Sequence, residues 1–189
     1  MKVIWHTAMS MDGRIATAAH DLAFLETIGP DSDGAGHETE FTDFLAGIDS
    51  VLVGGSTMRW LISQGMTMPA TGKPTWVLSR DVTLLDRAGA DPGLALRREG
   101  DISAVLDEIE AAGHEQVWLC GGGDIAGQAL AVDAVDEVIA TIAPTALGNG
   151  PALFDAPDLP LLTFQVAEVR RYGANAVRIR WVRDRDTRD

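Results

Sequence analysis

The sequence predicts an α/β fold: a mixed, mainly parallel sheet, flanked by helices and finished by an antiparallel C-terminal hairpin. Three observations carry this. Short apolar runs alternate with stretches of helical periodicity, and parallel neighbours need such crossovers. The runs up to Ala143 are continuously apolar, as strands covered on both faces are. Beyond Leu162 the pattern changes to alternation, the mark of a sheet with one wet face.

The elements follow in order. Strands are expected at Val3–Met9, Ser50–Val53, Thr75–Ser79, Leu94–Arg97, Gln116–Cys120 and Glu137–Ala143. Phe41, Phe44, Leu45 and Ile48 recur at helical spacing, and Met58, Leu61 and Ile62 mark a second helix. Ile102, Val105, Leu106 and Ile109 mark a third, with Asp101 placed to cap it and Gly113 to end it. Ile125, Ala129 and Leu130 give a shorter fourth. Residues 144–160 are rich in Pro and Gly and read as a long loop. Leu162–Arg171 and Asn175–Arg183 form the hairpin, with Val177, Ile179 and Trp181 on its dry face and arginines on the wet one. Residues 1–183 are expected to form one domain, and 184–189 a charged, frayed tail.

Composition narrows the partners. The chain has 189 residues and a net charge of −13. Such a surface repels nucleic acid and anionic lipid, so neither is expected as a partner. An anionic small molecule needs a local patch of donors. Cys120 is the single cysteine, which excludes an internal disulfide. No apolar stretch is long enough to span a bilayer, and the N-terminus reads as a strand and turn instead of a signal peptide. A cytoplasmic location is expected, and no metal site is.

The chemistry gathers where strands end. Gln116–Cys120 runs straight into Gly121, Gly122 and Gly123, and a helix begins. Bare backbone lets a phosphate approach closely, and the helix start offers free N–H groups and a positive dipole end. A tight turn without ligand is the competing reading. The spacing matches neither G-x-G-x-x-G nor a P-loop. Asp124 can cap the helix and compete with a phosphate. The stretch VLVGGSTMR repeats the design: Gly54 ends a strand, and Ser56 or Thr57 caps the next helix or meets a phosphate, with Arg59 adding charge. A third strand ends in Ser79 and Arg80, beside Asp81. The first ends in a turn at Asp12-Gly13 that either covers the site or only reverses the chain. Ligands of open α/β sheets bind outside the carboxyl ends of strands, where all these clusters fall.

The ordered set MSMDGRIA, VLVGGSTM, WVLSR, VWLCGGGDIAGQAL and IAPTALGNGPALF resembles the dihydrofolate reductase superfamily. It is most similar to the C-terminal reductase domain of riboflavin biosynthesis, the bacterial bifunctional deaminase-reductase C-terminal family. The resemblance spans nearly the whole chain. It implies a three-layer fold, NADPH as cofactor, hydride transfer to a small-molecule substrate, and a homodimer. Gly121, Gly122 and Gly123, with the N–H groups of Asp124, Ile125 and Ala126, would hold the pyrophosphate. Gly54, Ser56 and Thr57 match the loop on the adenosine-side phosphates, and Ser79 and Arg80 the adenosine-binding strand end. Arg80, with Arg59 as second choice, would meet the 2′-phosphate; Ala8 and Ile15 match positions flanking the nicotinamide.

Departures from the family shape the substrate reading. The riboflavin reductases carry a Trp-Ile-Ser/Thr segment and an Asp-Asp-Pro segment; the corresponding region here reads DLAFLETIGPDSDGAG, and the second segment is missing. Conventional members carry an arginine where this chain has Gly55. The expected substrate is a small nitrogen heterocycle of pterin or pyrimidine type. Reduction also needs a proton, and Asp12 in the first loop and Glu38 on the first helix are the candidate catalytic carboxylates, with ordered water as an alternative. His6 is expected to be packed. Trp5, Trp60 and Trp76 either stack on substrate or fill the core. The rival readings are a nucleotide-binding module of this fold without reductase activity and a flavodoxin-like flavin protein.

Overall fold

The structure, a computed structural model, describes residues 1–30, 37–70, 72–157 and 159–185; the side chains of His37 and Glu38 lie outside the described residues. Eight strands form one sheet: β1 (Lys2–Ser10), β2 (Ser50–Gly54), β3 (Thr75–Leu78), β4 (Ala95–Arg98), β5 (Gln116–Gly121), β6 (Glu137–Ala143), β7 (Phe164–Tyr172) and β8 (Ala176–Arg183). Their order is β4-β3-β2-β5-β1-β6-β8-β7. Neighbours from β4 to β6 are parallel, and β8 pairs antiparallel with both β6 and β7. The mixed, mainly parallel sheet ending in an antiparallel hairpin is therefore as expected.

Five α-helices cover the sheet: α1 (His37–Gly47), α2 (Gly55–Ser63), α3 (Leu84–Ala88), α4 (Ile102–Ala111) and α5 (Gly123–Ala131). Strand parity sorts them into two layers. Val3, Trp5, Leu52 and Leu119 face Ile102, Val105 and Ile109 of α4 and Ile125, Ala126 and Ala129 of α5. Val53 and Val77 face Met58 and Leu61 of α2 and Leu84 of α3, while Val51 and Trp118 face Phe44 and Leu45 of α1. Leu52 and Leu119 are fully buried; burying such a side chain stabilises by about 1.5–3 kcal/mol. Asp101 caps α4 as expected, its Oδ1 accepting from the Ser103 N–H at 2.8 Å. Neither α3 nor the 3-10 turn Ala23–Ile28 shows in the sequence, because each is too short to display a period.

The crossovers place a crevice. From β2 the chain leaves towards β3 through α2 on one face. From the adjacent β5 it leaves towards β6 through α5 on the other. Two neighbouring strands whose connections diverge in this way make a topological switch point, and the crevice lies outside their carboxyl ends.

The hairpin differs from expectation. Arg178, assigned to the wet face, is 8% exposed, whereas Val177 is 39% exposed. The cause is a tertiary ion pair. Arg178 Nη1 donates to Glu40 Oε2 of α1 at 2.8 Å, its Nε donates to Thr141 Oγ1 at 3.0 Å, and its guanidinium lies 3.6 Å from the Tyr172 ring centroid. Arg170 Nη2 donates to the same carboxylate at 2.6 Å. Glu40 thus holds two guanidinium groups and ties α1 to the hairpin. Glu40→Ala leaves the largely buried Arg178 without its carboxylate partner and Arg170 with Glu168 alone among the described residues, at 3.4 Å, and is expected to lower unfolding free energy by about 2–3 kcal/mol in urea titrations. The start of the tail is also tied back: Asp184 Oδ2 accepts from Gln165 at 2.8 Å, and Arg185 Nη2 donates to the Asp133 carbonyl at 3.0 Å. Residues 186–189 lie outside the described residues.

Candidate active site

A cavity of about 1100 Å³ opens at the switch point. Its walls come from the carboxyl ends of β1, β2, β3 and β5, the starts of α2 and α5, and the loops following β1 and β6. Of the sequence-predicted cofactor residues, Ile15, Gly54, Ser56, Thr57, Arg59, Ser79, Arg80, Gly121, Gly122, Gly123, Asp124 and Ile125 line it. Four segments far apart in sequence converge on one space.

The start of α5 is open. No side chain caps it. Its first intrahelical bond is Ala126 N–H to the Gly122 carbonyl at 3.1 Å, so the amides of Gly123, Asp124 and Ile125 precede the helical ladder. Ala126 is a correction: its N–H is spent inside the helix, and its side chain is fully buried in the core. Asp124 does not compete for the helix start; its Oδ2 accepts from Gln128 Nε2 one turn on, at 3.1 Å. The three glycines differ in purpose. Gly121 has φ +130°, which favours glycine. A Cβ on Gly123 would stand 2.0 Å from the Ala152 carbonyl oxygen, so protein packing alone demands glycine there. Gly122 has an ordinary extended backbone, and a Cβ there would meet only Thr57 Oγ1 at 3.2 Å and Ile15 Cδ1 at 4.0 Å. It is bare on the cavity side alone.

The start of α2 mirrors this. Gly54 is its N-cap and no side chain caps it, so the expected capping by Ser56 or Thr57 does not occur. Ser56 Oγ instead accepts from Arg59 Nη2 at 3.1 Å. Ser79 Oγ accepts from the Asp81 N–H at 3.1 Å. Asp81, next to Arg80 in the chain, is turned to Arg87 at 2.5 Å and to Thr83, whose hydrogen bonds lower its pKa. Arg80 has no ion pair among the described residues and lines the cavity.

The first loop corrects a catalytic expectation. Asp12 does not line the cavity. Its carboxylate accepts from Ser10 Oγ at 2.6 Å and from the N–H groups of Leu147 and Gly148 at 3.0 and 2.7 Å. The Ser10 hydroxyl, followed by those two amides, lowers its pKa to about 2. An acid held ionised this firmly does not serve as a proton donor near neutrality. Asp12 is a clamp instead. It fastens the β1 loop to the β6 loop, which meet again where Ile15 N–H donates to the Pro151 carbonyl at 3.0 Å and Leu153 N–H to Gly13 at 2.9 Å. Glu38 sits in the first turn of α1, but its side chain lies outside the described residues. Ala8 is also a correction: it does not line the cavity, and strand parity turns its side chain to the face that carries His6.

Other candidates sort into core and site. His6 is packed as expected, 4.5 Å from the Phe44 ring and 5.7 Å from Phe41, and burial lowers its pKa to about 4. Trp76 is core: it is 2% exposed, and its Nε1 donates to Glu108 at 3.2 Å. Trp5 and Trp60 border the cavity. Cys120 borders it too, with burial pushing its thiol up to about 12.

The family model for the RibD C-terminal domain matches residues 1–177. The chain belongs to the RibD C-terminal domain family. A curated relative, the uncharacterized protein YwjB of Bacillus subtilis strain 168, is 25% identical over 153 residues, 81% of this chain and 82% of its own. A crystal structure from Shewanella sp. PV-4, named for riboflavin biosynthesis, superposes with TM-score 0.82 at 24% identity, covering 98% of this chain and all of its own. The Thermotoga maritima diaminohydroxyphosphoribosylaminopyrimidine deaminase/5-amino-6-(5-phosphoribosylamino)uracil reductase gives TM-score 0.68 at 17% identity; 97% of this chain matches 56% of that one. Dihydrofolate reductase from Enterococcus faecalis, complexed with NADP(H), gives 0.59 at 14%, over 97% of this chain and 96% of its own. The fold is therefore dihydrofolate reductase-like.

Within the RibD C-terminal domain family, this chain's glycine at position 55 has a structural reason. A Cβ there would stand 2.6 Å from Ser79 Oγ, so no arginine fits. The guanidinium of Arg59, one turn along α2, reaches to 3.5 Å from that same point. Arg59 fills from the helix the space a side chain at 55 would enter. Sequence reasoning missed His20, which also lines the cavity. It stands in an aperiodic loop with no motif to mark it.

Proposed function

We propose that this protein is an NADPH-dependent reductase of small nitrogen heterocycles, of pyrimidine or pterin type. One observation carries the reading: two helices, α2 and α5, both lacking side-chain caps, open onto a single cavity at the switch point of the sheet. Uncapped helix starts favour phosphate oxygens. The residues fit the coenzyme. Gly122 leaves the approach to the α5 amides bare, and Gly54, Ser56 and Thr57 offer a second group of donors. Arg80 and Arg59 favour the 2′-phosphate of NADPH over the hydroxyl of NADH, since guanidinium pairs with phosphate through two hydrogen bonds. NADPH, when bound, supplies the hydride; the protein orients the reactants and excludes water. The named activities of the Thermotoga and Enterococcus proteins support the heterocycle class.

The exposed apolar face of the hairpin, with Val166, Val169 and Val177, supports a homodimer. Among the described residues no helix is long and apolar enough to cross a membrane, and a cytoplasmic setting accords with the reading.

The test is oxidation of NADPH at 340 nm against pyrimidine, pterin and small carbonyl acceptors. Turnover with a heterocycle and at least about 10-fold preference for NADPH over NADH, about 1.4 kcal/mol, is expected. Tight NADPH binding without turnover would favour the nucleotide-binding module instead.

A further inference from the structure

We infer that the Thr7 hydroxyl holds the carboxamide of the nicotinamide, an inference that rests on the NADPH reading above. The sheet order gives the coenzyme a direction. Its adenosine end belongs over β3 and β4, where Ser79, Arg80, Glu99 and Gly100 line the cavity. Its diphosphate belongs at the start of α5, directly after β5. From β3 through β2 and β5 to β1 is three strand spacings, or about 14 Å. A dinucleotide laid along this line brings its nicotinamide to the carboxyl end of β1.

The strand register opens the sheet at that point. β1 pairs with β5 only as far as Trp5 and Leu119. Beyond this pair, β1 follows β6 to Ser10 and Ala143, while β5 follows β2 to Gly121 and Val53. The two central strands therefore part after Trp5, and Thr7 is the next residue on the same face of β1. Both residues line the cavity, and so does Gly121 across the split. Trp5 is 1% exposed, and its Cη2 lies 3.4 Å from the point where a Cβ on Gly121 would stand. Its indole closes the floor of the split. Thr7 is half-buried and stands nearer the mouth.

The cavity-lining side chains from β1 and the loop after it are Trp5, Thr7, Ile15, Ala16, His20 and Leu22. His20 and Leu22 also border a neighbouring cavity together with Ser56 and Arg59, which sets them towards the adenosine phosphates. Ile15 and Ala16 are aliphatic, and Trp5 has its Nε1 buried. Thr7 is left, among the described residues, as the hydrogen-bonding side chain of β1 beside the nicotinamide.

Its chemistry suits an amide. Thr7 Oγ1 donates to the neighbouring Ala8 carbonyl at 3.3 Å, well beyond the usual length of an O–H···O bond, about 2.7–2.8 Å. A hydroxyl so weakly committed turns to a better partner at small cost. It offers one donor and two acceptor lone pairs, and a carboxamide carries the complement of each, a carbonyl and an NH2 group. Holding the carboxamide fixes the rotation of the nicotinamide ring, and with it the face of the ring that meets the acceptor.

Two variants test this. Thr7→Val keeps the branched shape and suits a strand, but removes the hydroxyl; Thr7→Ser keeps the hydroxyl. Each is titrated calorimetrically with NADPH and with adenosine 2′,5′-bisphosphate, which carries the adenosine end and no nicotinamide. T7V is expected to weaken NADPH binding about 10-fold, or about 1.4 kcal/mol, in line with one neutral hydrogen bond. Its affinity for the bisphosphate is expected to stay within about twofold, which also reports an intact fold. T7S is expected to stay within about threefold of wild type for both ligands. T7V binding NADPH as wild type does, T7V losing both ligands alike, or T7S losing as much NADPH affinity as T7V would each overturn the assignment. Failure of the wild-type protein to bind NADPH at all would overturn the coenzyme reading beneath it.

Discussion

Gly122→Val is expected to weaken NADPH binding at least about 100-fold, or about 2.7 kcal/mol, without unfolding the protein. At φ −89° and ψ −167° Gly122 lies outside the left-handed region that favours glycine. A Cβ there meets one movable hydroxyl, Thr57 Oγ1, at 3.2 Å. What the branched side chain does obstruct is the approach to the first amides of α5. The neighbouring Gly123 behaves differently, because its Cβ would strike the Ala152 carbonyl oxygen at 2.0 Å and force the β6 loop away. Loss of affinity at 122 therefore reports the binding site, whereas loss at 123 reports the fold. Calorimetric titration with NADPH, together with thermal melts of both variants, separates the two.

Stability is expected to fall as pH drops from about 6.5 to about 4, by an amount on the order of 3 kcal/mol traceable to His6. Burial first, then the Arg178 charge, lowers the His6 pKa to about 4, with Glu40 opposing. The folded protein therefore holds His6 neutral where the unfolded chain protonates it. The unfolded state binds the extra proton between the two pKa values, so the contribution is intact above about 6.5 and is lost as pH approaches 4. No further loss comes from His6 below that. Asp12, with a folded pKa of about 2, adds a separate decline at lower pH, because its stabilisation is present above the unfolded carboxylate value and disappears as the native carboxylate protonates. His6→Leu removes the first limb and leaves the second. The Nδ1 of His6 has no hydrogen-bond partner, so an apolar replacement orphans none. Urea midpoints at half-unit pH steps check the window.

Much of the cavity wall was legible because strand-to-helix junctions advertise themselves. Gly54, Ser56 and Thr57, then Gly121 to Gly123, stand directly after apolar runs, and the sheet topology brings those ends together. Illegible were contacts made across the fold. Nothing local says that Arg178 is buried; Glu40, far away on α1, makes it so. Asp12 carries an acid in a loop beside the site, and sequence alone cannot tell a proton donor from a clamp until Leu147 and Gly148 arrive. Ala126 failed for a geometric reason: the fourth amide after an N-cap already belongs to the helical ladder.

The central claim is that the diphosphate of a pyridine nucleotide sits on the open start of α5. A crystal structure of the protein soaked with NADPH addresses it most directly. The account predicts diphosphate oxygens within hydrogen-bonding distance of the Gly123 and Asp124 amides, with the 2′-phosphate near Arg80 or Arg59. A diphosphate bound elsewhere, or a cavity left empty at saturating NADPH, would contradict it.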